Sequence, residues 1–217
     1  MVKTPIRTIS EQIADQLRDA ILKGQIRPGE KLSEPQWAEK LKVSRTPLRE
    51  AIRSLGAEGF VTVTPRKGAV VSPLTVQDIR DFYEVKGLLE GHASRLACPR
   101  LTPELIDRMD QINEEINRER EISHWRSLFN LHNEFHQIFL QAAGNLKLYQ
   151  IVTLLTQKFQ RFRIALTMSG RMEGSITQHR DIIKAFRDHD ADRAEILVRE
   201  NAVCGGEVII QEILSKC

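Results

Sequence analysis

The sequence predicts a mostly α-helical fold in two domains, a small N-terminal module of three helices with a β-hairpin and a larger C-terminal all-helical bundle. Apolar residues recur at helical spacing through most of the 217 residues, whereas β-branched runs are confined to one short segment before Ser72. Charge also changes along the chain, since 13 lysines and arginines accompany 8 acidic residues up to Ser72, against 19 and 21 beyond it. We therefore predict domains at residues 1–74 and 75–217.

The first two helices of the N-terminal module follow from their apolar stripes and their end signals. The first is predicted from Ile9 to Leu22, with Ser10 and Glu11 at its start and Gly24 at its end. The segment IRPGEKL then predicts a turn. The second helix is predicted from Ser33 to Leu41, with Ser33 as its N-cap and a proline in its first turn.

A third helix and a hairpin complete the module. The helix follows the tight connection KVSRT, with Ser44 or Thr46 as its cap and Gly59 as its end. Its buried stripe is Leu48, Ala51, Ile52 and Leu55. The segment FVTVTPRKGAVVS holds two β-branched runs around a basic turn, which predicts a β-hairpin. This order of elements is typical of a winged helix-turn-helix.

The C-terminal domain shows helical periodicity and no strand pattern from Thr75 onward. Helix breaks are expected at Cys98-Pro99, at Gly144-Asn145 and around Ser169-Gly170. A bundle of about six helices follows from these signals. They are expected at about 75–98, 102–121, 124–143, 145–168, 173–188 and 190–214.

Several classes of protein are excluded by composition. No apolar run is long enough to cross a membrane, and the first ten residues lack the apolar core of a signal peptide. The three cysteines, Cys98, Cys204 and Cys217, form no spaced pattern. We therefore expect a cytoplasmic protein with free thiols and without a disulfide scaffold.

The stretch SRTPLREAIRSL places cations and hydroxyls at the start of the third helix. A recognition helix enters the major groove with its N-terminal residues facing the base edges, where arginine bonds guanine bidentately. Arg45 and Arg49 lie one turn apart and share an edge, while Ser44 and Thr46 suit phosphate oxygens. The segment therefore predicts direct contact with double-stranded DNA.

The predicted hairpin tip adds Arg66 and Lys67, which would reach the DNA backbone or the minor groove. The alternative for the helix is an ordinary solvated surface whose arginines pair with Glu50 or Glu58. The short preceding helix, the tight turn and the basic hairpin all favour DNA binding.

The segments ILKGQIRPGEKLSE, VSRTPLREAIRSL and GFVTVTPRKGAVVS resemble the DNA-binding domain of the GntR family of bacterial transcription regulators. The resemblance implies a homodimer that binds a pseudo-palindromic operator, with DNA contacts at Arg45, Thr46, Arg49 and Gly68. One position departs from the family, because many relatives carry arginine early in the second helix where this chain has Pro35. Proline cannot make that contact, so Arg45 and Arg49 are expected to carry more of the sequence readout.

Four polar side chains of the predicted bundle project toward one interior. His132 and His136 are i,i+4 neighbours beside an apolar stripe, a spacing at which two imidazoles can meet one ion. His179 and Asn201 fall within the apolar stripes of two later helices. Their burial without partners would be costly, so they are expected to contact each other, water, a metal or a ligand.

The segments DFYEVKGLLEGHASRLA, FHQIFLQAAGN and QHRDIIKAFRDHDADRAE are similar to the FCD effector domain of the FadR-like branch of that family, over roughly residues 75–201. The similarity implies a divalent metal held by one Asp and three His beside a small carboxylate effector. His136 and His179 match two of the histidine positions, while His132 replaces the Asp and Asn201 replaces the last His. Three imidazoles suit Zn²⁺ or Ni²⁺. The alternative is a hydrogen-bonded polar core without metal.

The effector itself has weaker signals in the sequence. Relatives often direct an arginine of the first bundle helix into the pocket, and the corresponding residue here is Lys86, with a surface lysine as the alternative. Arg161 and Arg163 are further candidates for binding a carboxylate, and Asn201 for binding an effector oxygen or a water.

The leading hypothesis for function is a ligand-responsive transcription regulator and not an enzyme. A metal sensor, in which the ion itself is the signal, is the first alternative. A metal-dependent hydrolase is the second. Against it, the chain has no HExxH run, and Glu134 projects from the side of its helix opposite His132 and His136.

Overall fold

The structure is a computed structural model that describes residues 8–64, 68–73, 75–119, 125–168 and 173–215. The chain divides into two compact units, Met1–Leu74 and Thr75–Cys217. The first is a winged helix-turn-helix and the second is an all-helical bundle, which confirms the predicted fold class. No helix among the described residues is long and apolar enough to cross a membrane.

The first unit contains three helices and a small antiparallel sheet. The elements are α1 (Ile9–Leu22), β1 (Lys31–Leu32), α2 (Glu34–Leu41), α3 (Arg45–Ala57), β2 (Val61–Thr64) and β3 (Gly68–Val71). The strands lie in the order β1-β3-β2, and β2 pairs with β3 in the register Val61 opposite Val71.

Two details of this unit differ from the prediction. Helix α1 is capped by Thr8, whose hydroxyl accepts from the Glu11 N–H at 3.2 Å while the Glu11 carboxylate accepts from the Thr8 N–H at 2.8 Å. Because of this capping box, the N-cap of α1 is Thr8 and not the expected Ser10. Strand β1 lies where only a turn was expected, since two residues are too few to show an alternating pattern.

The buried face of α3 is the predicted one, because Leu48, Ala51, Ile52 and Leu55 are all buried. It packs against α1, where an ion pair joins Arg18 to Glu58 with Nη2 2.7 Å from Oε2. Ser54 also donates to the Glu58 carboxylate at 3.0 Å. Glu58 is therefore occupied within the core and does not pair with the exposed arginines of α3.

The described part of the second unit holds seven α-helices and one 3₁₀ turn. They are α4 (Val76–Ala97), the 3₁₀ turn (Cys98–Arg100), α5 (Pro103–Glu119), α6 (Trp125–Ala142), α7 (Leu146–Lys158), α8 (Gln160–Met168), α9 (Glu173–Arg187) and α10 (Ala191–Leu214). The expected single helix over 145–168 was wrong, because the backbone breaks at Phe159 with φ −111°. Phe159 packs its ring 5.1 Å from Phe82, so a tertiary contact accompanies the break where no glycine or proline signals it.

Helices α4 and α10 approach closely along a row of glycines. A Cβ at Gly91 would lie 3.0 Å from the Glu195 carbonyl oxygen, and one at Gly206 would lie 3.0 Å from the ring of Tyr83. Any side chain there would force the two helices apart. The close approach brings polar residues of α4 alongside α10, and with α6 and α9 these helices surround the interior of the bundle.

Candidate functional site

The N-terminus of α3 presents the predicted DNA-binding side chains to solvent. Ser44 occupies the N-cap position, and its hydroxyl caps no N–H group of this described helix. Ser44, Arg45, Thr46 and Arg49 are all exposed. An exposed helix N-terminus with free hydroxyls and cations suits a phosphate backbone, and arginine on its edge suits guanine.

Arg49 is held by an acidic residue of the preceding helix. Its Nε lies 2.7 Å from Glu34 Oε2, and its side chain remains 60% exposed. The partners considered from the sequence, Glu50 and Glu58, are not the ones used. An exposed pair of this kind contributes at most about 1 kcal/mol, so it can exchange for a base. The neighbouring Pro35 lies in the first turn of α2, as expected.

Only part of the wing lies within the described residues. Gly68 begins β3 with φ +92°, and a Cβ there would meet Lys31 at 3.3 Å. That backbone conformation favours glycine. Arg66 and Lys67, the predicted basic tip, lie outside the described residues. His124 also lies outside the described residues, whereas His92 and His189 are described and exposed.

Three histidines meet in the interior of the bundle. His132 and His136 project from α6 and His179 from α9, and they are 8%, 5% and 0% exposed. One ligand nitrogen from each lies within 4.8 Å of the others. Burial lowers the pKa of all three, so they are neutral at neutral pH and carry a lone pair for a ligand.

Each histidine has a distinct polar environment. His179 Nδ1 lies 3.1 Å from Asn113 Oδ1, and His179 Nε2 lies 3.4 Å from Ser175 Oγ. His136 Nδ1 lies 3.1 Å from Glu90 Oε2, without full hydrogen-bond alignment. His132 Nε2 is buried without a hydrogen-bond partner among the described residues.

These residues fit a divalent cation. An orphaned, buried imidazole nitrogen is costly, and an ion shared with two further neutral imidazoles would satisfy it. Carbonyl and carboxylate oxygens behind His179 and His136 are the outer partners that typically orient metal-binding imidazoles. Asn201 is buried beside the cluster and donates to Gln178 Oε1 at 2.9 Å.

A cavity of about 430 Å³ adjoins the histidines, within the size range of small-molecule sites. It brings together the predicted residues Lys86, Arg163 and Asn201, but not Arg161, whose guanidinium lies over the Phe162 ring. The cavity is lined by Tyr83, Lys86, His132, His136, Arg163, Leu166, Gly174, Ser175, Gln178, Asn201, Ala202, Cys204, Gly205 and Val208.

Lys86 is a buried residue and not a surface lysine. It is 3% exposed and forms an ion pair with Glu90 one turn later on α4. Burial opposes ionisation of Glu90, but Lys86 and His136 outweigh it and hold the pKa of the carboxyl well below its usual range. The i,i+4 spacing of Lys86 and Glu90 was a signal that the sequence interpretation overlooked.

The sequence interpretation missed four further polar residues of the site. Asn113, Ser175 and Gln178 contact the predicted residues, and Tyr83 contributes a buried hydroxyl to the cavity wall. Ser175 is one turn from His179, whereas Asn113 is 66 positions away and only the tertiary fold brings it there.

The arrangement does not support hydrolysis. Glu134, the acid nearest in sequence to the histidine pair, is exposed and accepts from Arg108 Nη2 at 2.6 Å. A winged helix with an exposed cationic edge, in one chain with a helical bundle that encloses a cavity, is the arrangement of a class of transcription regulators.

Comparison with known proteins agrees with this class. Residues 9–71 match the family described as "Bacterial regulatory proteins, gntR family", and residues 81–202 match the FCD domain. The chain belongs to the GntR family of bacterial regulatory proteins and carries its FCD domain. It is a transcription regulator and not an enzyme.

Two relatives and one solved structure illustrate the likeness. The chain is 36% identical to the Nta operon transcriptional regulator of Aminobacter aminovorans over 79% of this chain and 80% of that one. It is 26% identical to the transcriptional repressor RspR of Escherichia coli K12, over 88% and 84%. McbR/YncC of E. coli superposes with a TM-score of 0.70 at 18% identity, covering 96% and 100%, which shows the shared fold.

Proposed function

We propose that a dimer of this chain binds a pseudo-palindromic operator and that a small carboxylate, a divalent metal, or both, modulate this binding from the bundle cavity. The observation that carries the proposal is the buried cluster of His132, His136 and His179 beside a cavity of about 430 Å³. A chain that only had to fold would gain nothing from an orphaned imidazole nitrogen there.

The DNA contacts are assigned to the exposed edge of α3 and to the wing. Arg45 and Arg49 would bond guanine edges in the major groove, and Ser44 and Thr46 would bond phosphates. The proposed wing contacts are Arg66, Lys67 and Gly68. The exposure of all four α3 residues supports this assignment.

The metal would be held by His132, His136 and His179. A divalent ion bound there supplies positive charge and a coordination position to an anionic ligand. Asn113 accepts from His179 Nδ1 and thereby leaves Nε2 as the ligand atom, and Glu90 faces Nδ1 of His136 in the same sense. Asn113 would thus orient His179 before any ion binds, and Glu90 lies close enough to His136 Nδ1 to act on that imidazole in the same way.

Regulation requires that the effector bind one conformational state of the dimer more tightly than the other. The test uses purified full-length protein and fluorescently labelled DNA from its own promoter region, with a shuffled duplex as control, at moderate salt. We expect preference for the promoter DNA and sedimentation of the complex with two protein chains. Equal affinity for both duplexes would refute operator binding.

A metal sensor is the second candidate function, favoured by a ligand set made of three neutral imidazoles. The same titration distinguishes it from the first. If operator affinity follows added Zn²⁺ or Ni²⁺ with no organic acid present, the ion is the signal. If affinity changes only when an organic acid is added, the ion serves the effector site.

A further inference from the structure

We infer that the cavity is built for a monocarboxylate with an apolar body, and that its carboxylate is anchored by Arg163 and Tyr83 rather than by Lys86. This rests on the proposed function, because it names the ligand class of the same cavity. The similarity to FCD domains assigns the anchoring role to the position of Lys86 on α4, and our inference places it on other residues.

The positive charge of Lys86 is already paired with a negative charge of the protein. Its ammonium is buried against Glu90, and Glu90 Oε2 also lies 3.1 Å from His136 Nδ1. A ligand carboxylate on Lys86 would have to displace Glu90 or lie beside a second buried carboxylate. Both arrangements bring like charges together or leave a buried charge unpaired, so both are unfavourable.

Arg163 is a cation of the cavity wall. It projects from α8, is partly buried, and has no ion-pair partner among the described residues. Its guanidinium carbon lies 5.4 Å from the centroid of the Phe129 ring, which supports one face of the planar group. The guanidinium keeps its proton in proteins, and its planar donors match the two oxygens of a carboxylate.

Tyr83 supplies a second donor to the same cavity. Its hydroxyl is buried without a hydrogen-bond partner among the described residues. Burial raises its pKa, so the hydroxyl stays protonated and can donate. The ring is fixed because it fills the space above Gly206, where a Cβ would lie 3.0 Å from it. The hydroxyl is therefore held at a fixed position without an acceptor among the described residues.

The charge balance sets the number of carboxylates. Lys86 is paired with Glu90, which leaves Arg163 as the one lysine or arginine among the described lining residues without an ion-pair partner. One carboxylate balances it. A second carboxylate would meet no further unpaired lysine or arginine among the described lining residues, which otherwise include the uncharged polar side chains of Ser175, Gln178 and Asn201 and the apolar side chains of Leu166, Ala202 and Val208. Those apolar side chains suit an alkyl or aromatic body.

Calorimetry on the full-length protein, as purified and after dialysis against a chelator, tests the ligand class. The probes are hexanoate and benzoate, each with a dicarboxylate and an uncharged amide of matched shape: adipate and hexanamide, terephthalate and benzamide. We expect at least one monocarboxylate to bind about tenfold or more tightly than both of its matched analogues. Tighter binding of the dicarboxylates, or no binding of either monocarboxylate, would overturn the inference.

Variants test the anchor. Arg163→Gln is expected to weaken binding of the monocarboxylate about tenfold or more, and Arg163→Lys to weaken it less, because charge is kept but the planar fork is lost. Tyr83→Phe removes one donor and should weaken it several-fold. Arg161→Gln, two positions away but outside the cavity, is the matched control and should leave it unchanged.

Loss of binding in Lys86→Gln with full binding in Arg163→Gln would move the anchor to Lys86 and refute the assignment. Because Lys86→Gln leaves Glu90 buried without its cation, the double variant Lys86→Met, Glu90→Leu, which removes both charges, is measured beside it, and unchanged affinity there supports Arg163. None of these ligand-binding measurements uses DNA, so their outcome does not depend on operator binding. A wild type that binds hexanoate but prefers no operator would refute the proposed function and leave the ligand class standing.

Discussion

Asn113 determines which nitrogen of His179 carries the proton. Its Nδ2 donates to the Ile176 carbonyl at 3.1 Å, which turns its Oδ1 toward His179 Nδ1, also at 3.1 Å. Since a carbonyl oxygen can only accept, Nδ1 must be the protonated nitrogen, and Nε2 keeps its lone pair. The amide therefore prepares His179 for an electrophile although it contacts none itself.

Removal of this amide should weaken metal binding while leaving the ligand set intact. We expect Asn113→Leu to raise the dissociation constant for Zn²⁺ about 10- to 100-fold, the usual effect of losing an outer-shell partner. Competition with a chromophoric chelator measures the constant, and nitrogen NMR of the chelator-treated protein reports the His179 tautomer. Unchanged affinity together with an unchanged tautomer would contradict the role assigned to Asn113.

Zinc should stabilise the protein against heat through the histidine cluster. An ion present at about a hundred times its dissociation constant adds about 2.7 kcal/mol to the free energy of unfolding. The melting temperature of the wild type should therefore rise on adding Zn²⁺, while that of His179→Ala should not. His92→Ala, which removes an exposed histidine of α4, is the control and should behave as wild type.

Acid should destabilise the metal-free protein below about pH 6.5. The folded state depresses the pKa of His132, His136 and His179 below the ordinary 6.5, so the unfolded chain binds more protons as the pH falls. Stability is thus fully present above 6.5 and declines beneath it, by up to about 1.4 kcal/mol per histidine per pH unit. Urea unfolding between about pH 7.5 and 5.5 measures the slope, which His179→Gln should reduce.

If Arg49 reads a base, its loss should weaken binding to the operator selectively. Arg49→Ala is expected to cost about 1–3 kcal/mol of specific binding energy and little of the binding to shuffled DNA. Arg80→Ala, an exposed arginine of the helical unit, is the control and should change neither. Equal losses on both duplexes would assign Arg49 to a phosphate instead.

How far the sequence predicted this structure depended on how local each signal was. The stripe of α3 and the i,i+4 pair His132–His136 were predicted because helical periodicity orders neighbours four residues apart. The break at Phe159 was not, because it coincides with ring packing against Phe82 and not with a helix-breaking residue. A contact such as Asn113 with His179 can be seen only when the tertiary structure is known.

The buried pair of Lys86 and Glu90 should matter far more to stability than an exposed pair with the same spacing. Glu90→Gln leaves a buried ammonium without its counter-charge and is expected to cost about 3–5 kcal/mol of unfolding free energy. The double variant Lys86→Met, Glu90→Leu removes both charges and should recover much of that loss. Lys184→Ala, which breaks the exposed i,i+4 pair with Asp188, should change the free energy of unfolding little, because solvent screens the pair. Urea titration of the wild type and the three variants measures the free energies of unfolding. Equal losses of stability on breaking the two pairs would mean that Lys86 and Glu90 remain hydrated in solution.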